Sequence, residues 1–121
     1  MLNKATCHCG AVVMNLAEQP SVIFECNCSI CRRLGVLWAY YSCDEVEFEK
    51  GHGTTNKYVW NNRILEFHSC SVCGCTTHWV AVDPGFREKM GVNARLIDGL
   101  DRTNTKLDYV NHGESIEFWT R

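Results

Sequence analysis

Apolar and polar side chains alternate in short runs along most of this chain, which is the pattern of β-strands rather than of helices. Over residues 11–16 the side chains of Val12, Met14 and Leu16 share one face, and later Val46 and Phe48 alternate with glutamates. Alternation of this kind is typical of half-exposed strands. By the same criteria we predict further strands over residues 22–26, 36–41, 54–60, 64–69, 76–82, 90–97 and 116–119.

Turn signals separate these runs at short intervals. The sequences Gly51-His52-Gly53, Asn61-Asn62 and Asp83-Pro84-Gly85 are typical of turns. Helical periodicity is almost absent, and the pattern predicts one helical turn over residues 29–34, with Ser29 as its cap and Gly35 at its end. The hydrophobic pattern therefore predicts an all-β domain with little helix.

Length and composition indicate one folded domain that spans residues 1–121. Apolar residues make up 45% of the chain and charged residues 21%, so the chain can bury a core. The formal net charge of −2 argues against a dedicated nucleic-acid binder, and no apolar run approaches the roughly 18–20 residues of a membrane span. Because the first residues hold no apolar stretch typical of a signal peptide, we expect the protein to reside in the reducing cytoplasm.

Nine cysteines are the most unusual feature of the composition, and all but Cys43 lie in three tight clusters. An odd count, close spacing and a reducing compartment disfavour a disulfide framework, whereas paired thiolates donated by turns are typical of zinc sites. We therefore interpret the clusters as metal ligands. They are Cys7-His8-Cys9, Cys26-Asn27-Cys28-Ser29-Ile30-Cys31 and Cys70-Ser71-Val72-Cys73-Gly74-Cys75.

Two of the clusters together suit a closed structural zinc site. Cys70 and Cys73 are followed by glycine, as in the turn of a zinc knuckle, and this pair needs two more ligands. Cys7 and Cys9, also followed by glycine, are the natural complement, since side chains two apart on an extended chain point the same way. The resulting Cys₄ site would tie the N-terminal residues to the middle of the chain and mainly stabilise the fold.

The remaining cluster offers three thiolates, enough to hold a zinc ion with one tetrahedral corner open. Cys26, Cys28 and Cys31 lie within six residues, and an open corner can accept water or a substrate thiol. A fourth protein ligand would instead close this site, and a swapped pairing between the clusters is a further alternative. The candidate fourth ligands are Cys75, Cys43, His68 and His78.

Residues near the clusters have more than one interpretation. Arg32 and Arg33 directly follow the third cluster and could bind the carboxylates of a peptide-like thiol, or they are ordinary surface charge. His68 could donate to a ligand sulfur, although a histidine on a strand face is the more common case. We interpret six further cysteine and aromatic side chains as parts of the core: Cys43, Cys75, Trp38, Tyr40, Tyr41 and Trp79. The aromatic side chains could instead form a ligand platform, and Cys75 could be a spare ligand or a reactive thiol.

The order of these motifs resembles the glutathione-dependent formaldehyde-activating enzyme family, to which centromere protein V also belongs. The matching motifs are Cys-x-Cys-Gly at residues 7–10, Cys-x-Cys-Ser-x-Cys-Arg-Arg at 26–33, Phe-x-x-Cys-x-x-Cys-Gly at 67–74, and a glycine-leucine-aspartate stretch within 91–101. The resemblance covers essentially the whole chain and implies a small zinc-binding domain of β-tent fold with two Zn²⁺ ions. By the matching motifs, the structural zinc would be held by Cys7, Cys9, Cys70 and Cys73, and the catalytic zinc by Cys26, Cys28 and Cys31.

The resemblance also implies an activity. A zinc-dependent carbon–sulfur lyase or synthase would join glutathione to formaldehyde as S-hydroxymethylglutathione, or reverse that reaction. Its partners would be a small-molecule thiol such as glutathione and an aldehyde, with no nucleic acid and no membrane. Two other functions stay open: a non-catalytic binding module in which both zinc ions are structural, and a redox sensor that releases zinc from residues 26–31 on oxidation.

Overall fold

The computed structural model describes residues 3–60, 65–82 and 88–110, which form a mostly β-structure, as predicted, with very little helix. The strands are β1 (Lys4–Thr6), β2 (Val13–Leu16), β3 (Val22–Cys26), β4 (Trp38–Ser42), β5 (Val46–Lys50), β6 (Thr55–Trp60), β7 (Leu65–Cys70), β8 (Thr76–Ala81), β9 (Lys89–Asn93) and β10 (Lys106–Val110). The helical elements in these ranges are the α-helical turn α1 (Cys31–Leu34) and the 3₁₀ turns Cys43–Glu45 and Ala94–Leu96. None of the described helices has the length and apolar character that crossing a bilayer requires.

The strands form two sheets that share one core. The smaller sheet is antiparallel with the order β1-β2-β5, and the larger sheet has the order β10-β3-β4-β9-β8-β7-β6. Neighbours in the larger sheet are antiparallel except β10, which runs parallel to β3. An isolated bridge between Ala5 and Ile97 joins β1 to the segment that follows β9.

The main core lies between the two sheets. Met14 and Leu16 from the smaller sheet pack with larger-sheet side chains such as Ile23, Ala39 and Val92. Leu16 is buried, and the other four side chains are completely shielded from solvent. Burial of this apolar surface is the main source of the folding free energy.

The outer face of the larger sheet carries a second apolar cluster, so its central strands are apolar on both sides. In β4, Ala39 and Tyr41 pack into the main core, whereas Trp38 and Tyr40 lie on the outer face. Trp38 is only 1% exposed and packs in a cluster with Cys26, Cys28 and Cys31. Burial on both faces explains the unbroken apolar run in this part of the sequence.

Most of the predicted strands are confirmed, but the sequence pattern does not predict β1 and β10. Both are short and depend on their partners, since β1 pairs with β2 and β10 with β3. The strand predicted over residues 90–97 is too long, because the Asn93 side chain accepts a hydrogen bond from the Arg95 amide and starts a 3₁₀ turn. The turns predicted at 61–62 and 83–85 and the strand at 116–119 lie outside the described residues.

The predicted helical turn is present, but the prediction of Ser29 as its cap is wrong. The helix α1 begins at Cys31, and the Cys28 sulfur accepts a hydrogen bond from the Cys31 amide (N···S 3.5 Å). The N-cap position is Ile30, whose side chain makes no capping hydrogen bond, and the Cys28 carbonyl accepts from the Arg32 amide. Gly35 ends the turn in the left-handed region at φ 69°, as predicted.

Close packing between β8 and β9 depends on a glycine. Gly91 lies opposite Trp79 in the register of these strands. A Cβ atom at Gly91 would lie 2.0 Å from the Trp79 Nε1 atom, far inside van der Waals contact. The missing side chain therefore sets the position of the indole on the outer face of the sheet.

We expect Gly91→Ala to lower the free energy of unfolding by about 1–3 kcal/mol, because the new methyl group must displace the indole of Trp79. Urea denaturation measures this change. In a Trp79→Val background the same substitution should cost much less, since the ring atoms that it meets are gone. An equal cost in both backgrounds would contradict the role given to the indole.

Candidate metal centres

Two pairs of cysteines that are distant in sequence meet as one group of four sulfur atoms, here called the four-sulfur group. The Sγ atoms of Cys7, Cys9, Cys70 and Cys73 all lie within 4.8 Å of one another. The Cys7–Cys9 sulfur distance is 3.8 Å and the Cys9–Cys70 sulfur distance is 3.6 Å. A disulfide bond measures about 2.05 Å, whereas a tetrahedron with Zn–S bonds of about 2.3 Å has edges of about 3.8 Å. The donor set and its spacing therefore fit a closed tetrahedral zinc site.

Each pair is presented by a tight turn that contains a glycine with positive φ. Gly10 has φ 83° and its amide donates to the Cys7 carbonyl, and Gly74 has φ 82° and its amide donates to the Cys70 carbonyl. Glycine adopts this left-handed conformation without steric cost. The two turns thus share one backbone design, and both glycines have the role that the sequence predicts.

Backbone amides in the second turn favour the thiolate form of its sulfurs. The Cys70 sulfur accepts hydrogen bonds from the amides of Cys73 (3.5 Å) and Val72 (3.4 Å), which lower the pKa of Cys70. Hydrogen bonds from the amides of Cys75 and Cys9 lower the pKa of Cys73 to about 5. Because the thiolate is the form that binds a metal, these hydrogen bonds favour cation binding by this turn.

Cys75 lies beside the four-sulfur group but is not one of its members. A hydrogen bond from the His8 amide lowers the pKa of Cys75, but burial and the neighbouring Cys73 thiol raise this pKa by more. Cys75 is partly buried and packs against the apolar cluster that includes Val12. It is therefore a small packed side chain, as the sequence predicts.

The third cysteine cluster forms a separate three-sulfur group. The Sγ atoms of Cys26, Cys28 and Cys31 lie within 4.8 Å of one another, and all three residues are buried. Cys26 ends β3, Cys28 lies in the following turn, and Cys31 begins α1. The chain reversal between β3 and α1 therefore assembles this group locally, without a ligand from a distant segment.

Hydrogen bonds also orient the three-sulfur group. The Trp38 indole Nε1 donates to the Cys31 sulfur at 3.3 Å. Hydrogen bonds from Cys26 and Cys31 lower the pKa of Cys28 to about 3. The hydrogen bond with Cys28 raises the pKa of Cys26 to about 11, and hydrogen bonds with Cys26 and Cys28 raise the pKa of Cys31. The three sulfurs thus share one negative charge. A bound divalent cation would favour the thiolate form of the other two cysteines as well.

No fourth histidine, cysteine, aspartate or glutamate joins the three-sulfur group among the residues that the structure describes. The structure also keeps the clusters apart, without an exchange of cysteines between the two groups. Of the four candidate ligands from the sequence, Cys75 lies beside the four-sulfur group. The other three line a cavity of about 670 Å³ between the sheets: Cys43, His68 and His78.

His68 is a strand-face histidine rather than a donor to a sulfur. Its Nδ1 atom is hydrogen-bonded to the Thr55 hydroxyl and its Nε2 atom to the Glu66 carboxylate. Its ring stacks on that of His78, with the ring centroids 4.3 Å apart. Both ring nitrogens are therefore engaged on the side of the sheet that faces away from the three-sulfur group.

The three-sulfur group opens into a cavity on the outer face of the larger sheet, here called the aromatic cavity. Its volume is about 360 Å³, which lies within the range of small-molecule sites. Strands β4 and β6 to β9 supply its walls. Besides the three cysteines, it is lined by Trp38, Tyr40, Trp60, Leu65, Phe67, Trp79 and Lys89.

Tyr40 brings to this cavity a polar group that the sequence pattern assigns to the core. The prediction of a core role holds for Tyr41, whose hydroxyl donates to the Glu18 carbonyl at 2.9 Å, but Tyr40 and Trp79 line the cavity. Tyr40 is 45% exposed, and the partial burial of its ring, followed by the nearby cysteines, raises the pKa of its phenol, which stays protonated and can donate a hydrogen bond. Strand alternation places Tyr40 on the same face as Trp38. It does not show whether that face is covered by other strands or lines a cavity.

Arg32 and Arg33 lie on α1 and are exposed, and neither lines the aromatic cavity. The Arg33 guanidinium donates to the Ser29 carbonyl at 2.8 Å. Arg32 borders a different surface pocket, together with Cys26, Cys31 and Arg95. The cationic residue that does line the aromatic cavity is Lys89, which the sequence analysis leaves unassigned.

Comparison with known proteins agrees with this arrangement of cysteines. The chain is similar in structure to a Rhodobacter sphaeroides protein whose crystal structure was determined as a structural-genomics target, with a TM-score of 0.73 and 27% sequence identity. The match covers 88% of this chain and 99% of that one. The family model of the glutathione-dependent formaldehyde-activating enzyme matches residues 2–115. Since this match spans nearly the whole sequence, the chain belongs to the glutathione-dependent formaldehyde-activating enzyme family.

Proposed function

We propose that this protein is a zinc-dependent carbon–sulfur lyase or synthase that reversibly joins a small thiol such as glutathione to formaldehyde. The four-sulfur group would hold a structural zinc ion and the three-sulfur group a catalytic one. Residues 1–121 would form a single domain. It would act in the cytoplasm, where nine unpaired cysteines stay reduced.

The observation that carries this proposal is the difference between the two sulfur groups. The four-sulfur group is complete and offers a metal no free position. The three-sulfur group has no fourth ligand among the described residues and opens into the aromatic cavity. Three protein ligands and one free position are typical of catalytic zinc sites, whereas four protein ligands are typical of structural ones.

The zinc ion, the Trp38 indole and the apolar walls of the proposed site would have different tasks. A zinc ion, when bound, lowers the pKa of a substrate thiol, so that the sulfur is present as the nucleophilic thiolate at neutral pH. The Trp38 indole holds the Cys31 sulfur in place through its hydrogen bond. The apolar walls exclude water from the reacting atoms and keep the two small substrates together.

In the synthetic direction, the substrate sulfur attacks the carbonyl carbon of formaldehyde and a carbon–sulfur bond forms. The electron pair of the C=O bond moves to the oxygen, which takes up a proton in place of the one that the thiol released; the reverse reaction returns a proton to the sulfur and breaks the carbon–sulfur bond. Tyr40 supports this step, because its protonated phenol lines the cavity and can donate a hydrogen bond to the oxygen as negative charge develops.

Exchange NMR with formaldehyde and glutathione tests the reaction directly. Zinc-loaded protein should accelerate the exchange between free formaldehyde and S-hydroxymethylglutathione, whereas metal-free protein should not. If the zinc-loaded protein accelerated the reaction with neither glutathione nor a panel of other small thiols, the enzyme proposal would be wrong. The chain would then be a binding module with two structural metal sites.

Substitution of one cysteine in each group should separate stability from activity. We expect Cys31→Ser to bind one zinc ion instead of two and to lose exchange activity while it keeps its fold. Cys73→Ser should unfold most of the protein, because structural zinc sites contribute on the order of 10 kcal/mol in small domains. Metal analysis, circular dichroism and exchange NMR measure these effects.

Cys43→Ser is the matched control, since Cys43 belongs to neither sulfur group. It should keep both zinc ions and full exchange activity. Equal unfolding of Cys31→Ser and Cys73→Ser would contradict the assignment of one structural and one catalytic site.

Tyr40→Phe should lower the exchange rate by about 10- to 100-fold, since it removes the hydrogen bond to the developing oxyanion. Tyr41→Phe is the control: it removes a hydroxyl from the same strand, but one that faces the opposite side and bonds to Glu18. The control should cost about 1 kcal/mol of stability and leave the rate unchanged. Equal rates in wild type and Tyr40→Phe would exclude Tyr40 as the donor.

A further inference from the structure

Strand alternation places Lys89 on the sheet face that carries the three-sulfur group. It is the first residue of β9, and the next residue, Met90, packs into the main core between the sheets. Lys89 and Gly91 therefore share the outer face, where Gly91 lies against the Trp79 indole. Lys89 lines the aromatic cavity together with the three cysteines.

The charge of Lys89 has no counterpart in the described walls of this cavity. Among the described residues that line it, Lys89 is the single member of the Lys, Arg, Asp and Glu classes. The ion pairs found in the described ranges are elsewhere, at Lys4 with Glu49, Lys106 with Asp108 and His68 with Glu66. An ammonium group at the rim of an apolar cavity therefore lacks a described carboxylate and can bind one that a ligand brings.

The net charge of a metal-loaded three-sulfur group would make a nearby cation important for the binding of an acidic substrate. Three thiolates around one Zn²⁺ ion leave a net negative charge, which repels a substrate that carries its own carboxylates. Lys89 is exposed, so its ammonium can meet a carboxylate of a substrate whose sulfur lies among the apolar side chains, and their attraction opposes this repulsion. A lysine at this position thus offsets the repulsion for acidic thiols and gives neutral thiols no advantage.

We infer that Lys89 is a specificity-determining residue that binds a carboxylate of the thiol substrate, so that the cavity selects acidic thiols over neutral ones. This inference rests on the proposed function, and it names the substrate class of that same site. The flexible stem and compact charge of lysine suit an acidic peptide-like thiol whose carboxylate lies at some distance from the sulfur. Arg32 and Arg33 of α1 do not line the aromatic cavity.

Binding of S-methylglutathione tests the inference apart from catalysis, because its sulfur is blocked and it cannot form the carbon–sulfur adduct. Its diethyl ester lacks the two carboxylate charges and serves as the matched ligand. Quenching of tryptophan fluorescence reports binding, since Trp38, Trp60 and Trp79 line the cavity. Zinc-loaded wild type should bind the acid about tenfold more tightly than the ester, the scale of one well-placed ion pair.

Three variants and one control complete the experiment. Lys89→Gln should remove the preference for the acid, Lys89→Glu should reverse it, and Lys89→Arg should retain most of it. Lys57→Gln is the control, because it deletes the same charge from β6 on the side of the cavity between the sheets. It should leave the preference unchanged.

Kinetics give an independent readout if the exchange reaction is observed. Lys89→Gln should raise KM for glutathione about tenfold with little change in kcat, and it should leave both values unchanged for 2-mercaptoethanol. A fall in kcat for both thiols would overturn the inference, since Lys89 would then act on the sulfur group rather than on the carboxylate.

The remaining outcomes are also distinct. Equal binding of acid and ester by wild type, no binding of either, or equal weakening of both by Lys89→Gln would overturn the inference. Selective binding that depends on Lys89 in a protein without exchange activity would support the role of Lys89 and contradict the proposed reaction.

Discussion

The four-sulfur group is the constraint on which the rest of this structure depends. Cys7 follows β1 in the smaller sheet and Cys70 ends β7 in the larger sheet, so the four-sulfur group lies where the two sheets meet. The smaller sheet has three short strands, and its packing on the larger sheet stabilises it. A metal held by this group would fix that packing at one end, where the buried side chains of Val12 and the cysteines meet.

The two faces of the larger sheet carry different features of the structure. Its inner face packs on the smaller sheet, and its outer face carries the three-sulfur group and the aromatic cavity. Successive residues of β4 show the division: Ala39 and Tyr41 belong to the core, while Trp38 and Tyr40 line the cavity. The cavity therefore has a rigid floor, and substitutions on its wall need not disturb the main core.

The grouping of the cysteines could be predicted because it depends on local geometry. Thiols two or three residues apart in a turn with glycine converge whatever the surrounding fold, and the motifs were specific enough to identify the family. Predictions that depended on partners were less successful. β1 and β10 form by pairing, the strand predicted over residues 90–97 ends at Asn93, and α1 begins at Cys31, so Ile30 rather than Ser29 holds the N-cap position.

The sequence by itself determined the β class, the family and the sets of cysteines that lie together, since strand alternation and motif spacing are properties of neighbouring residues. Only the tertiary structure decided which aromatic side chains form a cavity wall. It also decided that Lys89 lines the aromatic cavity, whereas Arg32 and Arg33 do not. The physical reason is register: a strand's alternate faces are visible in the sequence, but what each face meets depends on pairing with distant strands, and a shift by one residue would exchange the faces.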